Sequence, residues 1–192
     1  MAIVKYIKEL KSGRISVGVD LDGESVAYSI PKSEYGKMSF AVGGVLDGEE
    51  LSHLASLDGE YRAIKKALSL LSYSDKNKRE LYARLVREGY SREHSRAAVE
   101  YCLMHGYIKE DDQLRRLILR EANVNLRGPR YIREKLAAKG YSRDDIDAVT
   151  DGLLESGEID FAANFNKLCE KKGAFDPDER RALAYKYGFR TE

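Results

Sequence analysis

Apolar and polar residues alternate one by one at the start of the chain and then change to a helical period. Ile15, Val17, Val19 and Leu21, followed by Val26, Tyr28 and Ile30, keep the period of two that places one face of a strand inward. Asp22-Gly23 between the two runs supplies the positive backbone angles of a two-residue turn, so Arg14 to Ile30 is predicted to be a hairpin. Ile3, Tyr6 and Ile7 predict an earlier strand. Pro31 ends the hairpin, Met38 to Val42 predicts another short strand, and Gly43-Gly44 breaks the pattern before a helix near Glu49 to Leu57. A sheet of this size has a small core, so it is expected to lean on the helix that follows.

From Glu60 onward apolar positions recur three and four apart. Ile64, Ala67, Leu68 and Leu71 predict a helix that stops near Ser72. Asn77-Lys78-Arg79-Glu80 is a capping signal that opens a second helix, closed at Gly89. Ser91 opens a third, with Ala98, Cys102 and Leu103 inward and a stop before Gly106. The same grammar then returns. Leu114, Leu117 and Ile118 oppose Arg116 and Arg120; Pro129 to Lys139 carries Ile132 and Leu136 on one stripe, Arg130 and Arg133 on another side, and Gly140 as its stop. Ser142 begins a helix with Ile146, Val149, Leu153 and Leu154, ending at Gly157. Phe161, Phe165 and Leu168 start a further group, Asp176-Pro177-Asp178-Glu179 caps its second helix, and Tyr187-Gly188-Phe189 echoes Lys139-Gly140-Tyr141.

Gly-Tyr-Ser-Arg at Gly89 recurs at Gly140, a shift of 51 positions (140 minus 89). The offset also aligns Leu81 with Ile132, Leu85 with Leu136, Ala98 with Val149, Leu103 with Leu154, Gly106 with Gly157 and Ile108 with Ile159. A helical period near 50 marks stacked repeats, because one unit cannot bury its apolar stripe alone. The predicted fold is therefore mainly α: tandem three-helix repeats, the last one truncated, behind a small N-terminal β-hairpin or sheet region. The expected divisions are 1–59 for the β-rich region with a short helix, then repeats at 60–109 and 110–159 and a truncated one at 160–192.

The 192 residues are 43% apolar and 34% charged, the balance of a soluble chain with a real core. No apolar run approaches the roughly 20 residues needed to cross a bilayer, and the first residues lack a signal peptide's apolar centre, so a cytoplasmic protein is expected. The net charge of +1 conceals segregation. Residues 114–143 carry nine basic side chains against two acidic ones, and 144–160 carry seven acidic and no basic ones. Fields of this kind attract a polyanion or an acidic partner.

Cys102 and Cys169 lie in predicted helices without motif spacing, so buried thiols are expected. Cys102, His105 and His94 do not supply the four ligands of a structural zinc. The 13 tyrosines, among them Tyr82, Tyr90, Tyr101, Tyr107, Tyr131 and Tyr141 at related places in the repeats, admit base stacking but fit buried rings with exposed hydroxyls better. Gly43-Gly44 lacks a phosphate-loop context, and Asp111-Asp112 and Asp144-Asp145 fall at helix starts, where the dipole accounts for them. No triad or cofactor motif is present, and neither catalysis nor a cofactor is expected.

The constellation resembles the RecX family, regulators of the recombinase RecA. The resemblance covers Arg62 to the C-terminus and the preceding strands more loosely. It rests on Ala67-Leu68, Leu71, Glu80-Leu81, Leu85 and Gly89-Tyr90, on Gly128, Ile132, Leu136 and Lys139-Gly140, and on the turns Gly106-Tyr107-Ile108 and Gly157-Glu158-Ile159. One departure is that Lys109-Glu110-Asp111-Asp112 precedes Gln113-Leu114, where the family tends to place an acidic pair and then an aromatic residue followed by alanine. The resemblance implies a non-catalytic protein that binds in the groove of a RecA filament on DNA and inhibits it, acting in recombination and the DNA damage response; a monomer is expected. Arg115, Arg116, Arg120, Arg127, Arg130, Arg133, Lys135 and Lys139 are the expected contact residues for RecA or DNA phosphate. The alternatives are a stand-alone DNA-binding repeat protein and a scaffold for another protein. Near-neutral charge and the absence of a recognition helix in a known register argue against the former.

Overall fold

The computed structural model describes residues 1–190, so Thr191 and Glu192 of the expected truncated repeat lie outside the described residues. The chain forms two compact units, one made of Met1–Ser74 with Leu81–Tyr107 and the other of Asp75–Glu80 with the residues from Ile108 onward.

In the first unit, strands β1 (Ala2–Glu9), β2 (Arg14–Leu21), β3 (Glu24–Pro31) and β4 (Val45–Leu46) make an antiparallel sheet ordered β3-β2-β1-β4. The hairpin is where the alternation places it. Leu21 pairs with Glu24, and Asp22 and Gly23 take φ of 51° and 95°, both positive as a tight hairpin turn requires. The expected strand at Met38 to Val42 does not form. Pro31 leads into a one-turn helix, α1 (Lys32–Tyr35), and the chain instead turns at Ala41–Gly44 to bring β4 beside β1.

The next helix corrects a second expectation, because the two helices read at Glu49 to Leu57 and from Glu60 are one continuous α2 (Gly48–Tyr73), opened by an Asp47/Glu50 capping box. Asp58-Gly59 looks like a break in sequence, yet both residues serve contacts. The Asp58 carboxylate accepts the Ser29 N–H of β3 at 2.9 Å and pairs with Arg62 at 2.7 Å, while a Cβ on Gly59 would overlap the His94 ring of α4 (Arg92–Met104). The Arg62 guanidinium donates to the Ala27 carbonyl at 3.3 Å and Arg14 donates to the Ser29 carbonyl at 2.6 Å. Side chains thereby occupy the edge groups of β3 that another strand would need. The sheet does lean on its helix, since Leu54 of α2 is buried with Val4, Val17, Val19 and Ile30.

Helix α3 (Lys78–Arg87) precedes α4, and its first turn is counted with the second unit. The second unit continues with α5 (Glu110–Leu119), a π turn (Arg120–Val124), α6 (Pro129–Lys139), α7 (Arg143–Glu155), α8 (Phe161–Lys172) and α9 (Pro177–Tyr187). Leu114, Ile118, Ile132, Leu136, Ile146 and Leu153 share one core, and Leu126, Leu168, Ala184 and Phe189 share another. The repeat is visible in the hydrogen bonds. After α3, α6 and α9 the residue following the glycine donates to a carbonyl five back: Tyr90 to Leu85, Tyr141 to Leu136 and Phe189 to Ala184. Tyr107 to Cys102 and Glu158 to Leu153 repeat it after α4 and α7. These are Schellman closures, and the glycine at each takes the left-handed backbone that a side chain resists.

Leu103, expected inward, is exposed, as is Leu154 at the corresponding place. Ser95, Ala98, Val99 and Cys102 define the buried stripe of α4, and the next residue along falls about 100° around the helix from Cys102. Both cysteines are buried free thiols, as expected, and burial pushes the Cys102 thiol upward. Where the sequence departs from the RecX pattern, Gln113 is a polar hub. It donates to the Lys76 carbonyl at 3.3 Å and accepts the Tyr141 hydroxyl at 2.9 Å.

The predicted cap at Asn77 also forms, with Asn77 Oδ1 accepting Glu80 N–H at 2.8 Å and Glu80 Oε2 accepting Asn77 N–H at 3.2 Å. Asn77 Nδ2 further donates to the last carbonyl of α6, Lys139 O, at 3.0 Å. Asn77→Ala is expected to cost about 1–2 kcal/mol in urea unfolding, the upper part of the capping range because a second bond goes with the cap. A loss under about 0.5 kcal/mol would show that neither bond matters to stability.

A candidate polyanion-binding surface

All eight basic residues selected from the sequence lie in the second unit, and most have a partner there. Arg115 pairs with Glu158, whose carboxyl is held below the ordinary carboxylate range first by that guanidinium and then by the Ser156 hydroxyl. Arg116 meets Asp75 at 2.5 Å, Arg133 meets Asp147 at 2.7 Å, and Lys139 stands 3.7 Å from Glu80. The Arg130 guanidinium donates to the Tyr185 carbonyl at 2.7 Å and lies 4.8 Å from the centre of that tyrosine's ring. Arg120 is exposed, and no ion pair of its side chain occurs among the described residues. Solvent-exposed pairs of this kind contribute little to stability and exchange readily for a competing anion.

Arg127 and Lys135 differ from the rest. Arg127 is half-buried, its guanidinium between the rings of Tyr131 at 4.4 Å and Tyr187 at 4.6 Å, which fixes its plane. Lys135 pairs at 2.7 Å with Glu121, a buried carboxylate on the π turn. Burial opposes ionisation of Glu121, but Lys135 and Asn125 together hold its pKa below the usual value.

The π turn widens the backbone after α5, and Leu126 then takes φ of 50°, a conformation bulky residues rarely adopt. Beside it is a cleft of about 380 Å³ lined by Arg127, Lys135, Tyr131 and Tyr187, and by Lys171 and Lys172 from the last turn of α8. Among the described residues no group of three or more His, Cys, Asp or Glu is placed to hold a metal ion, and no helix is long and apolar enough to cross a membrane.

No protein-family model matches the sequence. A regulatory protein RecX of Pseudomonas entomophila is 31% identical over 146 residues, which are 72% of this chain and 90% of that protein. The chain belongs to the RecX family. A RecX of Lactobacillus johnsonii is 26% identical over 153 residues, 80% of this chain, and the chain spans about half of that longer relative, 54% of its length. The crystal structure of a regulatory protein RecX superposes with a TM-score of 0.73 over 99% of this chain and 95% of that one, at 20% identity, which is a likeness of fold.

Two cleft residues of this RecX-family chain escaped the sequence reading. Lys171 and Lys172 end the first helix of their group, whereas Lys139 ends a middle helix whose counterpart is Tyr187-Gly188, so the repeat register does not point to them. Lysines in a last helical turn are accounted for by the dipole alone and carry no signal of a cleft.

Proposed function

We propose that this chain regulates RecA, binding in the groove of RecA filaments on DNA and lowering their strand-exchange and ATPase output. The observation that carries this reading is membership of the RecX family over most of the chain. Successive helical groups, divided at 60–109, 110–159 and 160–192, would each offer a face to neighbouring RecA protomers. The basic surface from Arg115 to Lys139 would face acidic protein or phosphate, with Arg115, Arg116 and Arg133 trading an internal carboxylate for one on the partner. In the free chain the internal carboxylates mask these arginines locally, and their charge becomes available only where a stronger anion is present.

A titration of the chain into RecA on single-stranded DNA is expected to lower ATPase turnover; turnover unchanged at saturation overturns the reading. Arg130→Glu with Arg133→Glu is expected to abolish the inhibition while circular dichroism reports a folded helix. Asp147→Ala, which removes the partner of Arg133 and keeps both arginines, is expected to retain inhibition. Full inhibition by the double variant would remove these two residues from the mechanism.

A further inference from the structure

The cleft beside the π turn gathers positive charge that the fold leaves largely unspent. Arg127, Lys135, Lys171 and Lys172 line it, against the single carboxylate of Glu121. Only Lys135 is paired with that carboxylate. Among the described residues, Lys171 and Lys172 are exposed with no hydrogen-bond or ion-pair partner, and the half-buried Arg127 guanidinium has no acceptor, being held by ring faces alone. A guanidinium is planar of itself, and one held by ring faces leaves its edge donors free for an oxyanion.

We propose that this cleft binds phosphate groups, with Arg127 as the planar fork and Lys171 and Lys172 as the point charges around it. A carboxylate side chain would satisfy Arg127 and leave the two lysines unmatched. A phosphate, with more oxygens and more charge, uses donors arriving from the start of α6 and from α8 at once. The volume of about 380 Å³ admits a nucleotide-sized group. Tyr131 and Tyr187 hold the arginine and are positioning residues. This deepens the reading above for the part of the surface that carries Arg127 and Lys135, yet its test involves no RecA, so the two readings can fail separately.

Three probes distinguish the sources of phosphate: a labelled oligothymidylate, ATP and inorganic phosphate, each titrated into the full chain. Lys171→Glu with Lys172→Glu is expected to weaken oligothymidylate binding by about tenfold or more and to flatten its salt dependence by about 1.4 in log–log slope, two phosphates' worth on a single strand. Lys8→Glu with Lys11→Glu, which reverses as much charge at exposed positions of the first unit that do not line the cleft, is expected to change affinity by less than about twofold at physiological salt. Binding of ATP or inorganic phosphate alone, lost in the first variant and kept in the second, assigns the cleft to a free phosphate ligand. Equal losses in both variants, or no binding of any probe by the unaltered chain, overturns the site.

Discussion

Gly128→Ala is expected to destabilise the second unit by about 3 kcal/mol, the upper end of what overpacking costs, with loss of amide protection in α9 measured by hydrogen exchange. The reason is a backbone-to-backbone contact with no side chain able to move aside. Gly128 N–H donates to the Tyr187 carbonyl at 2.9 Å and Arg130 N–H to the Gly188 carbonyl at 3.1 Å, so the closing turn of α9 caps the opening turn of α6. A Cβ on Gly128 would overlap the Gly188 carbonyl and the Phe189 nitrogen. Gly188 is constrained from its own side as well: φ is 81°, and a Cβ there would stand 2.5 Å from Tyr131 N. Gly173 provides the comparison within the same unit, since it has φ of 65° but open space around a Cβ. Gly173→Ala is therefore expected to lose only the roughly 1–2 kcal/mol of the left-handed conformation, and Gly188→Ala that amount plus the overlap. Equal losses at Gly173 and Gly188 in denaturant titrations would mean that the two helix ends do not touch as described.

Replacing Lys135 by methionine is expected to cost about 2 kcal/mol at pH 7, less than breaking a fully buried pair because the lysine is half-exposed. The cost should depend on pH with a definite sign. In the unaltered chain the Glu121 pKa is depressed in the folded state: burial alone would raise it, but Lys135 and Asn125 outweigh burial. That carboxylate's contribution is present above the unfolded carboxylate value and is lost as pH falls through the lower folded value. Once the lysine is gone, burial is the larger influence on Glu121 and its folded pKa rises. The penalty is then present at neutral pH and fades as Glu121 takes up a proton. The gap between the two proteins should be widest near pH 7 and close as pH falls through the depressed folded value of Glu121. Lys135→Met combined with Glu121→Leu should restore most of the loss, since no buried charge is left without its partner. A gap that stays constant from pH 7 to pH 4 would show that Lys135 acts through packing of its stem and not through the carboxylate.

Much of the architecture is legible in the sequence because it is governed by short-range rules. Asp22-Gly23, the Asn77/Glu80 cap and the Pro129-to-Gly140 limits of α6 each depend on residues within a turn of one another, and each stands where the sequence placed it. The 51-residue offset survives for the same reason, since Leu81 and Ile132, or Leu85 and Leu136, are buried stripes set by helical periodicity. Local signals fail where a distant partner overrides them. Asp58-Gly59 is a helix-breaking pair on its own, but Ser29 and His94 use both residues and the helix runs through. Val45 and Leu46 had no strand signal and became β4 because β1 offered an unpaired edge.

The sequence by itself determined the order of the helices, their caps and stops, the buried stripes, and the concentration of basic residues between 114 and 143. Only the tertiary structure decided which of those charges are spent internally. Arg115 and Glu158, Arg116 and Asp75, and Lys135 and Glu121 are joined across tens of residues or around a π turn, where chain spacing carries no information about distance. The same folding brought Lys171 and Lys172 of α8 beside Arg127, because helix packing, and not helix propensity, sets which faces share a cleft.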